Sequence, residues 1–141
     1  MKAIKRTLCV IIALLSILSL LACNKVDTAK LWDNATYTED TELGEGETTF
    51  AVEVKAGDKL VTFTVKTDKP TVGEALVDCE LISGEMGQFG LYVKSVNGIV
   101  ADYDVDQSYW AFYVNGDYAT SGVDMTEISR GVVYRLEYTK E

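Results

Sequence analysis

Hydrophobic positions follow three different rhythms along this chain. From Leu8 to Ala22 they run almost without a break, interrupted by Ser16 and Ser19 and preceded by Lys2, Lys5 and Arg6. Such a run is shorter than the roughly 20 residues that span a bilayer, and a basic start before an apolar core of this size is the pattern of an export signal. From Asn24 to Gly46 the chain turns polar, with acidic residues at Asp27, Asp33, Glu39, Asp40, Glu42 and Glu45. That composition offers too little apolar surface to offset the entropy of ordering, and reads as a tether. Leu31, Trp32 and Tyr37 depart from it, which puts the end of the tether near Lys30. Then a period of two takes over. Phe50, Val52 and Val54 alternate with Ala51, Glu53 and Lys55; after a turn at Ala56-Gly57-Asp58, Val61, Phe63 and Val65 alternate with Thr62, Thr64 and Lys66. The pattern predicts a β-hairpin.

One stretch then carries a helical period. Thr71 stands three residues before Glu74, the spacing of a capping box, and Val72, Ala75, Leu76 and Cys79 fall on one face. The spacing predicts a helix from Val72 to about Leu81, with Cys79 as a small core residue rather than a nucleophile, since no base accompanies it. Beyond Gly84-Glu85-Met86-Gly87, three β-rich segments follow: Leu91 to Val96, ending at Asn97-Gly98; Trp110 to Val114, ending at Asn115-Gly116; and Val132 to Tyr138. Asn-Gly at a strand end is a strong hairpin signal. Asp124 to Ile128 reads as a short turn of helix or a loop. The order β-β-α-β-β-β predicts an α+β fold, a β-grasp-like mixed sheet with one main helix. A single helix covers one sheet face, leaving the other face, or the loops, for binding. No internal repeat is visible.

The apolar leader ends in Leu20-Leu21-Ala22-Cys23, and a small residue before cysteine is what lipoprotein signal peptidases read. The segment resembles a bacterial lipoprotein signal, in which the cysteine is lipidated and becomes the new N-terminus. The organisation expected is a signal peptide over residues 1–22, a lipidated tether over 23–30 and one domain over 31–141. That predicts the extracytoplasmic face of a bacterial cell membrane, with Cys23 as the lipidation site. The alternative is an ordinary signal peptide or an N-terminal anchor that happens to end in cysteine. Loss of the leader removes Lys2, Lys5 and Arg6 and no acidic residue, so a formal charge of −9 becomes −12. A chain this acidic repels nucleic acid and anionic lipid headgroups, although surface acidity also serves solubility alone.

Composition narrows the chemistry further. With Cys9 in the leader and Cys23 at the lipobox, Cys79 stands alone and no disulfide is expected. Histidine is absent, which removes the commonest general base and zinc ligand. No catalytic residue and no metal ligand is assigned, and the chain is expected not to be an enzyme. Asp102, Asp104 and Asp106 are spaced like the start of an EF-hand loop, but the sixth position is Gln107 rather than glycine and the twelfth is Tyr113 rather than glutamate. A solvated acidic loop is the simpler reading. Aromatic residues are in surplus: Tyr103, Tyr109, Trp110, Tyr113 and Tyr118 fall within sixteen residues. Rings with a polar edge suit flat ligands, sugars and protein partners alike. Trp110, Phe112 and Val114 share one strand face and read as core, whereas Tyr109 and Tyr118 read as exposed.

The pattern Ser95-x-Asn97-x-Ile99, then Tyr109-Trp110-x-Phe112, Gly116, Gly122-Val123 and a closing strand is similar to that of a bacterial lipoprotein family of unassigned function. Its domain resembles the C-terminal β domain of transcobalamin and intrinsic factor. The similarity runs from about Leu31 to Lys140. It implies ligand contacts near the start of the Ser-x-Asn strand and around the Tyr-Trp-x-Phe hairpin, at Val93, Phe112, Tyr118 and Ala119; Tyr109 joins them as an exposed ring of the same aromatic cluster. It also implies a corrinoid such as cobalamin as the ligand. No other cofactor is expected, and the lipid anchor would place the protein beside a membrane importer as the recipient of that ligand. The vitamin carriers add a large helical domain that this chain lacks. A protein-interaction or surface-display module of the cell envelope is the alternative.

Overall fold

The computed structural model describes residues 28–141; the leader and Cys23 lie outside the described residues. The chain order is α1 (Thr28–Trp32), β1 (Thr41–Gly44), β2 (Thr48–Ala56), β3 (Lys59–Thr67), α2 (Val72–Asp78), β4 (Ile82–Gly87), β5 (Gly90–Val96), β6 (Ile99–Val100), α3 (Tyr103–Asp106), β7 (Ser108–Val114), β8 (Asp117–Tyr118), a 3-10 turn at Val123–Met125, and β9 (Val133–Lys140). Six strands form one sheet in the order β1-β3-β2-β9-β7-β8, and β4-β5-β6 form a second, smaller one. At the centre of the large sheet β2 and β9 run parallel, flanked by antiparallel β3 and β7. Two parallel neighbours require a long crossover, and here α2 and the small sheet supply it. The result is the expected α+β, β-grasp-like order.

Alternation becomes burial directly. Phe50, Val52, Val54 and Ala56 of β2, Val61, Phe63 and Val65 of β3, and Tyr134 and Leu136 of β9 all point to one side. Val72, Ala75 and Leu76 of α2 and Val93, Val96 and Ile99 of the small sheet close over them. Each of the valine, leucine, isoleucine and phenylalanine side chains contributes about 1.5–3 kcal/mol by leaving water, and the alanines less. The opposite face carries cross-strand ion pairs, Glu53 with Arg135 at 2.8 Å and Lys55 with Glu137 at 3.0 Å. Being partly exposed, each adds little.

The N-terminal stretch of the domain is held by specific bonds. Trp32 is buried and its indole N–H donates to the Ala56 carbonyl at 3.0 Å. Asn97 is 1% exposed, and its side chain bonds both backbone groups of Tyr37, accepting from the N–H at 2.9 Å and donating to the carbonyl at 2.8 Å. The adjoining Asn97 N–H donates to Leu81, and its carbonyl accepts from Thr36.

Two expectations are corrected. The helix stops at Asp78 rather than near Leu81. Glu80 adopts a left-handed φ of 59°, the Leu81 N–H reaches back to the Leu76 carbonyl and the Glu80 N–H to that of Val77. This is a Schellman end, built on glutamate where glycine is usual. The Thr71 half of the capping box is made, with its hydroxyl accepting from the Glu74 N–H at 3.2 Å, and Cys79 is half-buried at the helix end rather than fully in the core. Second, residues 82–87 form a strand that alternation could not reveal. Ile82 alone is buried there, so β4 is held by backbone pairing to β5 rather than by burial. A side chain at Gly84 would meet the Tyr92 carbonyl, so the two backbones approach too closely for anything but glycine.

Candidate functional site

The turn at Asn115-Gly116 sets the geometry. Both residues take positive φ, 49° and 85°, the conformation a two-residue hairpin needs and the reason for Asn-Gly there. The chain therefore folds back at once. Tyr118 pairs with Tyr113, their rings meeting edge to face at 5.4 Å, and the Ala119 N–H donates to the Phe112 carbonyl at 2.9 Å. Opposite this hairpin lies β5.

Between them runs an open trough. Val93 and Phe112 form a nearly buried floor, Tyr109 is half-buried, and Tyr118 stands 63% exposed. These four line one groove of about 210 Å³. Ala119 joins Phe112 and Tyr118 in an adjoining open cleft of about 480 Å³, which Phe89 and Met125 also line. All five candidate binding residues thus fall in two clefts that share Phe112 and Tyr118. Their support is rigid: Phe112 stacks on buried Tyr134 at 6.1 Å, and the Trp110 indole N–H donates to the Ile99 carbonyl at 3.2 Å. Trp110 is a core residue whose edge reaches the trough, as its position on the strand suggested.

Tyr118 also borders a third depression of about 560 Å³, whose walls include Tyr92, Tyr103, Tyr109, Asp104 and Glu141. Burial pushes the Tyr109 hydroxyl pKa up. Tyr103 is raised too, because its hydroxyl donates to the Glu141 carboxylate at 2.7 Å and would lose that bond on ionising.

Residues 102–106 are acidic and without a buried side chain, as expected, but they are not an irregular loop. They form α3, a single turn capped by its own carboxylates. Asp102 accepts from the Asp104 N–H at 3.0 Å, while Asp106 accepts from the backbone N–H and hydroxyl of Ser108 and faces Lys140 at 3.6 Å. The bonds from Ser108 hold the Asp106 carboxyl below the usual carboxylate range. Among the described residues, no three His, Cys, Asp or Glu side chains are placed to hold a metal ion. Burial raises the Cys79 thiol pKa, which makes it a poor nucleophile.

Sequence reasoning missed Phe89. It lies between β4 and β5 at 90% exposure, with Met125 at 68% across the cleft. The available signal was Gly87-Gln88-Phe89-Gly90, a bulky aromatic bracketed by glycines. Conversely, Asn97 of the Ser-x-Asn motif is a structural staple and does not line the trough.

Residues 70–140 match the model of a domain of unknown function, DUF4430. No curated protein matches the chain. Among solved structures it is similar to a "putative metal binding protein" from Ruminococcus gnavus ATCC 29149, at 28% identity and a TM-score of 0.63, over 67% of this chain and 99% of that one. It is also similar to haptocorrin in complex with Cbi, at 17% identity and a TM-score of 0.53, over 65% of this chain and 25% of that one. The second likeness is one of fold.

Proposed function

We propose a function for this chain, which belongs to the DUF4430 family: it is a cell-envelope lipoprotein, anchored through Cys23, that captures a small flat ligand in the trough between β5 and the β7–β8 hairpin. A corrinoid such as cobalamin is the leading candidate. The observation that carries this reading is the meeting of Val93, Tyr109, Phe112 and Tyr118 in one groove on a rigid floor. The fold shared with haptocorrin in complex with Cbi supports it. The R. gnavus description does not decide the ligand class, since the described residues offer no gathered metal-binding side chains. The protein acts by binding and not by catalysis, and hands its ligand to a membrane importer that the lipid anchor places nearby.

One domain covers one side of so large a ligand. Affinity should therefore be micromolar, on the order of 8 kcal/mol. Calorimetric titration of residues 23–141 with cobalamin, against haem as a flat control, tests this. Heat with cobalamin and little with haem is the expected result; no heat at ligand concentrations near ~1 mM rejects it. The anchor is tested separately: Cys23→Ala should shift the protein out of the membrane fraction, and unchanged membrane association of a cleaved variant would remove it from the proposal. A second reading, a protein-interaction or display module, is favoured by Phe89 and Met125, which hold large apolar surface in water. It gains if cobalamin gives no heat.

A further inference from the structure

We infer that the depression beside the trough, between α3, β5 and β7, is a subsite for a small organic cation. It goes beyond the corrinoid reading and does not depend on it. Tyr92, Tyr103, Tyr109 and Tyr118 line this depression. Four tyrosines around one hollow are more than strand propensity requires, because Tyr92, Tyr103 and Tyr118 remain 43–63% exposed and add little to the core. Tyr103 and Tyr109 sit 6.5 Å apart at a tilt of 59°, so two rings of different orientation line the same hollow. The face of an aromatic ring is electron-rich and attracts a positive charge.

Carboxylates complete the charge pattern. Glu141 and Asp104 border the hollow, and Glu141 is held in place by the Tyr103 hydroxyl at 2.7 Å and by its own N–H, which donates to the Gln107 carbonyl at 3.1 Å. Asp102 lies on the same border, with one oxygen already capping α3. Lys94 is the opposing charge, but its ammonium is drawn to Glu85 at 3.1 Å. Ring faces and carboxylates thus point to the same ligand class. An anion would be repelled; a neutral sugar, whose hydroxyls could donate to the carboxylates, gains nothing from their charge and is the competitor that the test separates. An ammonium group on a compact apolar body satisfies both.

Choline and 3,3-dimethyl-1-butanol form a matched pair of probes, equal in shape and differing in charge. In ligand-observed NMR on residues 23–141, choline should bind with a millimolar dissociation constant and the neutral alcohol about fivefold more weakly or worse. The double variant Asp104→Asn, Glu141→Gln should lose about tenfold for choline while leaving cobalamin titration unchanged. Tyr103→Phe, which keeps the ring, should retain choline binding within about twofold. Retained chemical-shift dispersion checks that each variant is folded. Equal affinity for the two probes overturns the inference. So does choline binding that survives the double variant, absence of choline binding up to about 50 mM, or preferential binding of methyl glucoside. Because the variants avoid the trough floor, failure here leaves the corrinoid reading standing, and failure of cobalamin binding leaves this one standing.

Discussion

The chain uses the dipeptide Asn-Gly twice, and the two copies behave differently. Asn97-Gly98 and Asn115-Gly116 have nearly the same backbone, with φ of 52° and 79° in the first and 49° and 85° in the second. Each closes a hairpin. The first is built into the domain: Asn97 staples Tyr37, and a Cβ on Gly98 would lie 2.5 Å from the Asn34 carbonyl oxygen. The second stands in solvent, where a Cβ on Gly116 would meet nothing within 4 Å. Its asparagine accepts one exposed bond, from the Val133 N–H at 2.9 Å. Local sequence sets the turn in both cases; what packs around it decides whether the turn locks the core or presents side chains. The locked turn holds the N-terminal segment, and the open one carries Tyr118 and Ala119 to the trough.

The glycines offer the sharpest way to break this comparison. Gly98→Ala combines an unfavourable left-handed alanine with a backbone clash and should cost about 3 kcal/mol or more. Gly116→Ala pays the backbone term alone, about 1 kcal/mol. Urea unfolding measures both, and equal losses would mean that the packing around Gly98 yields freely.

The asparagines come next. Asn97→Ala leaves the N–H and carbonyl of Tyr37 without partners and should cost about 3 kcal/mol, against about 1 kcal/mol for Asn115→Ala, whose partner can turn to water. Both positions are left-handed, so that cost cancels between them. A loss at Asn115 as large as at Asn97 would contradict the account.

Smaller still is an acid effect next to the open hairpin. Asp106 is held below its ordinary value of 3.8 by Ser108. Its contribution to stability is therefore present above that value and lost as pH falls through the lower folded one. Asp106→Asn should therefore lower stability at neutral pH and flatten the acid limb, its difference from the parent protein shrinking below about pH 4. An unchanged acid limb would show that the Ser108 bonds are not kept in solution.

These contrasts also show what the sequence could and could not disclose. The β2–β3 hairpin was legible because Phe50, Val52, Val54, Val61, Phe63 and Val65 all bury on one side, and period two records burial. β4 was silent because its side chains point to solvent and its stability comes from pairing with β5. The helix end was misplaced because Glu80 occupies a position where glycine would have announced the stop. At the candidate site, Val93, Phe112, Tyr118 and Ala119 could be named from a motif and Tyr109 from the aromatic cluster, and the structure gathers them into adjoining clefts. The glycines around Phe89 mark an exposed turn, but its place in the same cleft follows from the packing of the β4–β5 hairpin, a tertiary fact that the local pattern does not encode.

The central claim is that ligand engages the open hairpin and not the locked turn. Backbone amide shifts of isotopically labelled protein, followed as cobalamin is added, test it most directly. Changes should concentrate at Val93, Tyr109, Phe112, Tyr118, Ala119 and Phe89, and leave Thr36, Tyr37 and Asn97 unmoved. Shifts centred instead on Thr36, Tyr37 and Asn97, or no shifts at saturating cobalamin, would contradict the account.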